Sequence, residues 1–453
     1  MPFDSVTSTV LPRPLYRRPL ELDPWDPLFR SLILAGLASL IYLSFRWQIF
    51  QPMLHAASEH PWTGYVLRPS MLWMAMGTLM LLFRTLLWFR YRTPPVACYA
   101  DAPTLTVIIP AYNEGAMVAQ SIDSVAKAHY PLERLRILVV DDGSRDDTWE
   151  HIQAAAARHP GLVRTIKFAC NRGKRAALEA GFHMAHSEVV VTIDSDSIIE
   201  KDALLAMVGP FRDPKVGAVA GKVTVYNLHQ GLIPRMLKVR YALSFDFLRA
   251  VQSTYGTVYC CPGALAAYRS TVLHKVLNAW SRQTFMGVQC TYGEDRAMTN
   301  YIIAEGYDTL YQRAAVVHTA VPRGYWQLCK MFLRWDRSYV REELRFARIV
   351  WKRPLRARWI ALLDATITNL RYPVGWAALG LVAALVAWHP LTLLRLLCAI
   401  GLMASLNVLY YLRSERSWDA VYGIIYSYFS AFALFWIFPY AVITVRAQGW
   451  LTR

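Results

Sequence analysis

The chain has no Cys-x-x-Cys pair and no histidines at zinc-ligand spacing, which argues against a structural zinc site or a redox dithiol among its seven cysteines. Their odd number and scatter, from Cys98 to Cys398, argue against a disulfide frame and for a reducing compartment. Acidic residues are scarce: 32 Asp and Glu stand against 49 Lys and Arg, a formal net charge of +17. That excess flanks apolar runs instead of forming one stripe on a soluble domain, which argues against nucleic acid as a partner. The first 27 residues are polar and include Arg13, Arg17 and Arg18. They lack a short apolar core followed by small residues, so no cleavable signal is expected. Apolar residues are plentiful, at 55% of the chain with 16 Trp. Apolar and basic together predict an integral membrane protein whose positive face is cytoplasmic. At 453 residues the chain exceeds one hydrophobic core, so two or three structural units are expected.

Leu28–Trp47 and about Gly64–Phe89 are long enough to span a bilayer as helices, and Arg68 and Arg84 in the second are placed to snorkel. The connection 48–62 holds no Lys or Arg, whereas Arg90 and Arg92 follow the second stretch. The positive-inside rule then puts the N-terminus and the chain after residue 90 in the cytoplasm of a multi-pass inner-membrane protein. Leu105–Ile109, Arg136–Val140, Val163–Phe168 and Val189–Ile193 read as buried strands alternating with helices, one of them Lys174–Ala185. That alternation predicts an α/β domain with a mostly parallel sheet covered on both faces. From Trp326 to about Pro354 aromatic and basic residues interleave as in a helix lying in the membrane interface. Apolar stretches follow near Tyr372–Trp388, Leu391–Leu412 and Val421–Val445. The first two read as a hairpin. The third reads either as a full crossing or as a re-entrant segment bent at Pro439, which would keep the C-terminus inside. Asn407, Tyr410, Tyr411, Tyr422, Tyr426 and Tyr428 are candidates to line a polar path through these helices, or to form interfacial tyrosine belts. The expected division is therefore residues 1–94, 95–325, 326–355 and 356–453.

Asp194 and Asp196 close the apolar run Val189–Ile193. On an extended backbone side chains alternate with period two, so both carboxylates are expected to aim the same way. Two hard oxygen ligands at the lip of a sheet suit Mg²⁺ or Mn²⁺, ions that usually accompany phosphate. Asp141-Asp142-Gly143-Ser144 ends another strand and suits nucleotide recognition, since a carboxylate there accepts from a uracil N–H or ribose hydroxyls. Ser144 or Asp146 also suits a helix cap. Asn171-Arg172-Gly173-Lys174-Arg175 opens a helix and gathers positive charge where a diphosphate would lie. Glu294 and Asp295 precede the helical run Ala297–Glu305. Asp295 is the candidate general base, with Glu294 as its neighbour, although acidic residues also suit a helix N-terminus. Arg334-Trp335 offers a guanidinium to a diphosphate and an indole face to a sugar ring.

Taken in order, Val107-Ile-Ile-Pro-Ala-Tyr-Asn-Glu114, Val140-Asp-Asp-Gly-Ser144, Asn171–Arg175, Asp194-Ser-Asp196, Gly293-Glu-Asp-Arg296 and Arg334-Trp335 resemble the family-2 inverting glycosyltransferases. The closest resemblance is to their membrane-embedded processive branch, which includes hyaluronan, chitin and cellulose synthases and the nodulation chito-oligosaccharide synthases. The resemblance implies a GT-A nucleotide-diphospho-sugar transferase domain between N- and C-terminal transmembrane helices. It implies a UDP-sugar donor, UDP-GlcNAc first and UDP-GlcUA with it in hyaluronan synthesis, and a growing β-linked polysaccharide as acceptor. Tyr112, Glu114, Asp141, Asp142, Lys174, Arg175, Asp194 and Arg334 would bind the nucleotide-sugar. Asp196 would hold the metal with help from Asp194, and Asp295 would be the base. Pro262 and Gly263, within Cys261-Pro-Gly-Ala-Leu-Ala-Ala-Tyr-Arg269, would lie at the acceptor, with Trp335 as its floor. The tail Trp450-Leu451-Thr452-Arg453 resembles the Trp-Gly-Thr-Arg end of hyaluronan and nodulation synthases, which adds Trp450, Thr452 and Arg453 to the nucleotide-sugar set. Two departures stand out. Met331 occupies the glutamine position of Gln-x-x-Arg-Trp, with Gln327 one turn earlier, and Leu451 replaces the tail's glycine. Two rival readings are a non-processive family-2 transferase that adds one sugar to a lipid carrier, and an inactive transferase-like export subunit, against which the intact acidic residues argue.

Overall fold

The structure, a computed structural model, describes residues 26–46, 48, 51, 69–387 and 389–447. The tail residues Trp450, Thr452 and Arg453 lie outside this set. Two apolar helices come first, α1 (Asp26–Arg46) and α2 (Pro69–Arg90), of 21 and 22 residues. An α/β unit follows with β1 (Leu105–Ala111), α3 (Met117–Ala126), β2 (Leu135–Asp141), α4 (Thr148–Arg158), β3 (Val163–Lys167), α5 (Lys174–Met184), β4 (Val189–Thr192) and β5 (Ser197–Ile199). It continues with α6 (Ala203–Val208), β6 (Val216–Val225), α7 (Leu232–Tyr241), a π turn over Ala242–Phe247, α8 (Leu248–Ser253), β7 (Ala266–Arg269) and α9 (Ser270–Ser281). A small hairpin of β8 (Thr284–Phe285) and β9 (Val288–Gln289) leads to α10 (Glu294–Ala304) and β10 (Asp308–Thr319). The chain then runs through α11 (Tyr325–Ile349), α12 (Leu355–Val386), α13 (Leu391–Glu415), α14 (Ala420–Ala433) and α15 (Ile437–Ile443).

Eight strands make one sheet in the order β3-β2-β1-β4-β7-β6-β10-β5. All run one way except β7, antiparallel to β4 and β6, and the short edge strand β5, antiparallel to β10. The four strands expected from alternation are present and parallel, side by side as β3, β2, β1 and β4. β1 and β4 are buried along their whole length, as strands with both faces covered must be. The other half of the sheet was not expected. β7 occupies Ala266–Arg269, within the stretch assigned to the acceptor, and pairs antiparallel with β4 on one side and β6 on the other.

The amphipathic segment forms a single 25-residue helix, α11. Among the described residues, α12 and α13 are long and apolar enough to cross a membrane. They become three spans if α14 and α15, bent by 49°, count as one. The bend falls at residues 434–436, not at Pro439. Pro439 sits in the first turn of α15, where a missing N–H costs no hydrogen bond.

Candidate active site

The carboxyl ends of β1, β2 and β4 open into one cavity of about 970 Å³. Tyr112 and Glu114 line it from the end of β1, and Asp142 from the end of β2. Glu114 accepts a bond from the Ser195 hydroxyl at 3.1 Å. Asp142 is buried and takes the amides of Arg172 at 2.7 Å and Gly173 at 2.8 Å, plus the Asn171 side chain at 3.0 Å. Burial raises its pKa although those two amides oppose the shift. Asp142 therefore shapes the 171–173 loop. Gly143, at φ 72°, turns the chain so tightly that a Cβ there would meet the backbone of Cys170.

Two expected nucleotide contacts are not on the cavity wall. Asp141 is fully buried beneath it, one oxygen held by Ser144 and the other without a hydrogen-bond partner among the described residues. Arg175 points into the core, bonded to the Trp280 carbonyl at 2.6 Å and to Gln283, with its guanidinium over the Trp280 ring. Neighbouring residues on a helix diverge by about 100°, so Lys174 and Arg175 cannot both face the cavity.

Lys174 does face it and organises the acidic centre. Its ammonium pairs with Asp194 Oδ1 and lies 3.4 Å from Glu294 Oε1. Burial opposes the Lys174 charge, but Asp194 and Glu294 outweigh it and raise the pKa. Burial likewise opposes the Glu294 charge, and Lys174, with Arg334 and Arg175, holds that carboxyl below its usual range. Asp295 has the opposite fate: burial, reinforced by the adjacent Glu294, raises its pKa. Its Oδ2 accepts the Gly263 amide at 3.3 Å and the Cys260 thiol at 3.6 Å, and Oδ1 accepts the Arg296 amide at 2.7 Å. Gly293, at φ 75°, caps this helix so closely that a Cβ would run into Ser338 of α11.

Asp194 and Asp196 both line the cavity, but not by strand alternation. β4 ends at Thr192, and the Ser197 amide bonds the Asp194 carbonyl at 3.0 Å, so the two acids sit on a turn. Asp194 is engaged by Lys174, whereas Asp196 accepts from Ser197 at 3.2 Å and Thr319 at 3.3 Å. Among the described residues no three His, Cys, Asp or Glu side chains gather as a metal cage.

Pro262, Gly263, Arg334 and Trp335 share the same cavity. Trp335 packs against the rings of Tyr241, Phe245 and Phe332 at 5.7–6.2 Å between centroids. Met331 and Gln327 also line it, and Met331 sulfur accepts from the Tyr241 hydroxyl at 3.9 Å. The cavity also reaches α2 and α12 at Arg84, Asp364, Thr368 and Tyr372. Arg84 does not snorkel. It bonds Asp364 at 2.9 Å and Thr368 at 2.6 Å. None of the tyrosines expected to line a path is on this wall among the described residues, and Tyr411 and Tyr422 are packed between helices instead. Sequence reasoning missed this corner; an arginine and an aspartate within apolar helices, Arg84 and Asp364, were the signal that could have found it. Tyr292, beside Gly293, donates to the Ala447 carbonyl at 2.8 Å, and Arg337 bonds Thr444, so residues 444–447 lie against the centre.

A family model described as "Glycosyl transferase family 2" matches residues 106–277. An N-acetylglucosaminyltransferase of Rhizobium meliloti is 31% identical over 360 residues, 78% of this chain and 82% of that protein. A hyaluronan synthase of Streptococcus pyogenes is 30% identical over 356 residues, 77% of this chain and 83% of the synthase. Among solved structures, a mannosyltransferase from Pyrobaculum calidifontis superposes with a TM-score of 0.57 at 22% identity, covering 81% of this chain and 97% of that one. That likeness speaks to the fold alone.

Proposed function

The chain belongs to the family-2 glycosyl transferases and carries their GT-A fold, and from that premise we propose that it polymerises GlcNAc from UDP-GlcNAc into a β-linked polysaccharide at a membrane. The observation that carries this reading is the single cavity in which Asp295, the Lys174-centred acids and Trp335 meet. Asp295 accepts the proton of the acceptor hydroxyl. The oxygen so freed bonds to the anomeric carbon as the bond from that carbon to the β-phosphate oxygen breaks, and UDP leaves with the electron pair. Attack opposite the leaving group turns an α donor into a β link. A base whose pKa is raised by burial is better matched to neutral pH than an ordinary aspartate.

Lys174 and Arg334 supply positive charge to the diphosphate. The residues fit a divalent cation that takes most of its ligands from substrate, because Asp196 offers one carboxylate at the lip and no cage of His, Cys, Asp or Glu surrounds it among the described residues. Mg²⁺ or Mn²⁺ held there by Asp196, with Asp194 beside it, would neutralise charge on the departing diphosphate. Trp335 serves as the acceptor floor, with Pro262 and Gly263 at its edge. Trp450, Thr452 and Arg453 are assigned to the donor side on the resemblance of the tail.

Residues 1–94 and 356–453 are proposed as membrane segments, 95–325 as the cytoplasmic catalytic domain and 326–355 as the interfacial part. The product then leaves along the α2–α12 side of the cavity. The test is incubation of the purified, lipid-reconstituted protein with radiolabelled UDP-sugars, singly and in pairs, followed by linkage-specific hydrolases. A polymer from UDP-GlcNAc alone supports the proposal. A requirement for UDP-GlcUA as well would make the product hyaluronan, a single lipid-linked sugar would make the enzyme non-processive, and no UDP release from any donor would overturn the reading.

A further inference from the structure

The transfer centre occupies only part of the cavity. Two opposite charges enter the same space from different helices, Arg240 at the end of α7 and Asp336, next to Trp335, on α11. Both are half-buried, and neither side chain has a hydrogen-bond or ion-pair partner among the described residues. This is unlike the other charges on that side: Arg84 is closed on Asp364 at 2.9 Å, and Arg296 on Glu343 at 2.8 Å. Arg240 is the charge that acts on Asp336, whose carboxyl burial pushes up to about 7 against the pull of that guanidinium.

Two opposite charges left without partners in an aromatic-walled cavity complement a neutral group that carries both an acceptor and a donor. An amide is such a group, with its carbonyl toward the guanidinium and its N–H toward the carboxylate. A hydroxyl satisfies the two sites less specifically. A uronate would gain from Arg240 but be repelled by Asp336.

We propose that Arg240 and Asp336, beside Trp335, form an acceptor subsite that holds the 2-acetamido group of a sugar of the growing chain. The subsite selects an uncharged, N-acetylated polymer over an acidic or unsubstituted one. This inference rests on the reading of the protein as a polysaccharide synthase.

The experiment titrates the full-length protein, held in lipid nanodiscs with UDP bound, with chitotetraose, cellotetraose or a hyaluronan tetrasaccharide, and follows tryptophan fluorescence. Chitotetraose binds at least about tenfold more tightly than the other two. Asp336→Ala and Arg240→Ala each weaken chitotetraose about tenfold or more, the scale of a lost hydrogen bond to a charged group, and weaken cellotetraose less than about threefold. Asp336→Asn, which keeps shape and hydrogen-bonding capacity, recovers part of the loss, and with Arg240→Lys it carries the test if the alanine forms fail to fold. Equal binding of chitotetraose and cellotetraose by the wild type, tighter binding of the hyaluronan fragment, or full chitotetraose affinity in the variants overturns the proposal. UDP release by the same wild-type preparation reads the synthase assignment separately. Release without acetamido preference sinks the subsite alone, and no release from any UDP-sugar sinks both.

Discussion

Replacing Lys174 with methionine removes the cation that sits between Asp194 and Glu294, and the structure sets the scale of the result. At 3.4 Å from Glu294, with the effective dielectric of about 20 that suits such sites, the attraction is about 5 kcal/mol. Losing it lifts the Glu294 pKa, which Lys174 holds down in the wild type. The net loss of stability is smaller, about 3–5 kcal/mol for an orphaned buried charge, because the carboxyl responds by taking up a proton. The sign follows from the direction of the shift. In the wild type Glu294 has a lowered folded pKa, so its contribution is present above the unfolded value and is lost as pH falls through the folded one. In Lys174→Met the folded pKa rises above the unfolded one, so the same group contributes stability at low pH and loses it as pH rises. Thermal melting of the nanodisc-held variant between pH 5 and 8 should therefore decline toward alkaline pH relative to wild type. Asp295 also loses a cation that lowers its pKa, so the acid limb of the kcat/KM profile for UDP release should move to higher pH. Lys174→Arg should restore most of both. A Lys174→Met protein with wild-type melting and an unmoved acid limb would refute the electrostatic account of this centre.

Asp295→Asn should lower kcat for UDP release by about 10²–10⁴ while leaving melting at pH 7–8 unchanged or raised. The raised folded pKa means that the charge it removes opposes folding at those pH values. Gly293→Ala forces a Cβ into Ser338 at a left-handed φ, so turnover should fall about 10-fold or more through displacement of Asp295, and the double variant with Ser338→Gly should regain part of it. Arg353 is buried, with bonds to the carbonyls of Gly256 and Tyr307 and to Thr257, and an ion pair with Asp308. Arg353→Met should cost about 3–5 kcal/mol, read as a clear fall in unfolding temperature.

Much of the donor half was legible because a buried parallel strand announces itself twice, by an apolar run and by the polar cluster that must follow it. β1, β2 and β4 with Glu114, Asp142 and Asp194 are of this kind. What sequence could not convey was direction within a cluster. Asp141 and Asp142 are adjacent, yet one is sealed below the floor and the other ties down a loop. Lys174 and Arg175 diverge because a helix starts between the loop and them. Asp194 and Asp196 meet the cavity from a turn that no alternation rule describes. β7 was hidden because Ala266–Arg269 is short and poor in branched residues, so only its two neighbours make it a strand. Arg84, Asp336 and Asp364 were missed for a different reason: each looks like an ordinary interfacial charge until the helices from distant parts of the chain close around one space.

The cavity wall that Asp295, Trp335 and Asp364 share has a practical corollary for anyone trimming this protein. A soluble fragment ending at residue 325 would keep the sheet and both halves of the Lys174–Glu294 bridge, but would lose Arg334, Trp335 and the Arg84–Asp364 corner together. Such a fragment would be half a vessel, able to receive a nucleotide and with nothing to hold what the sugar should join.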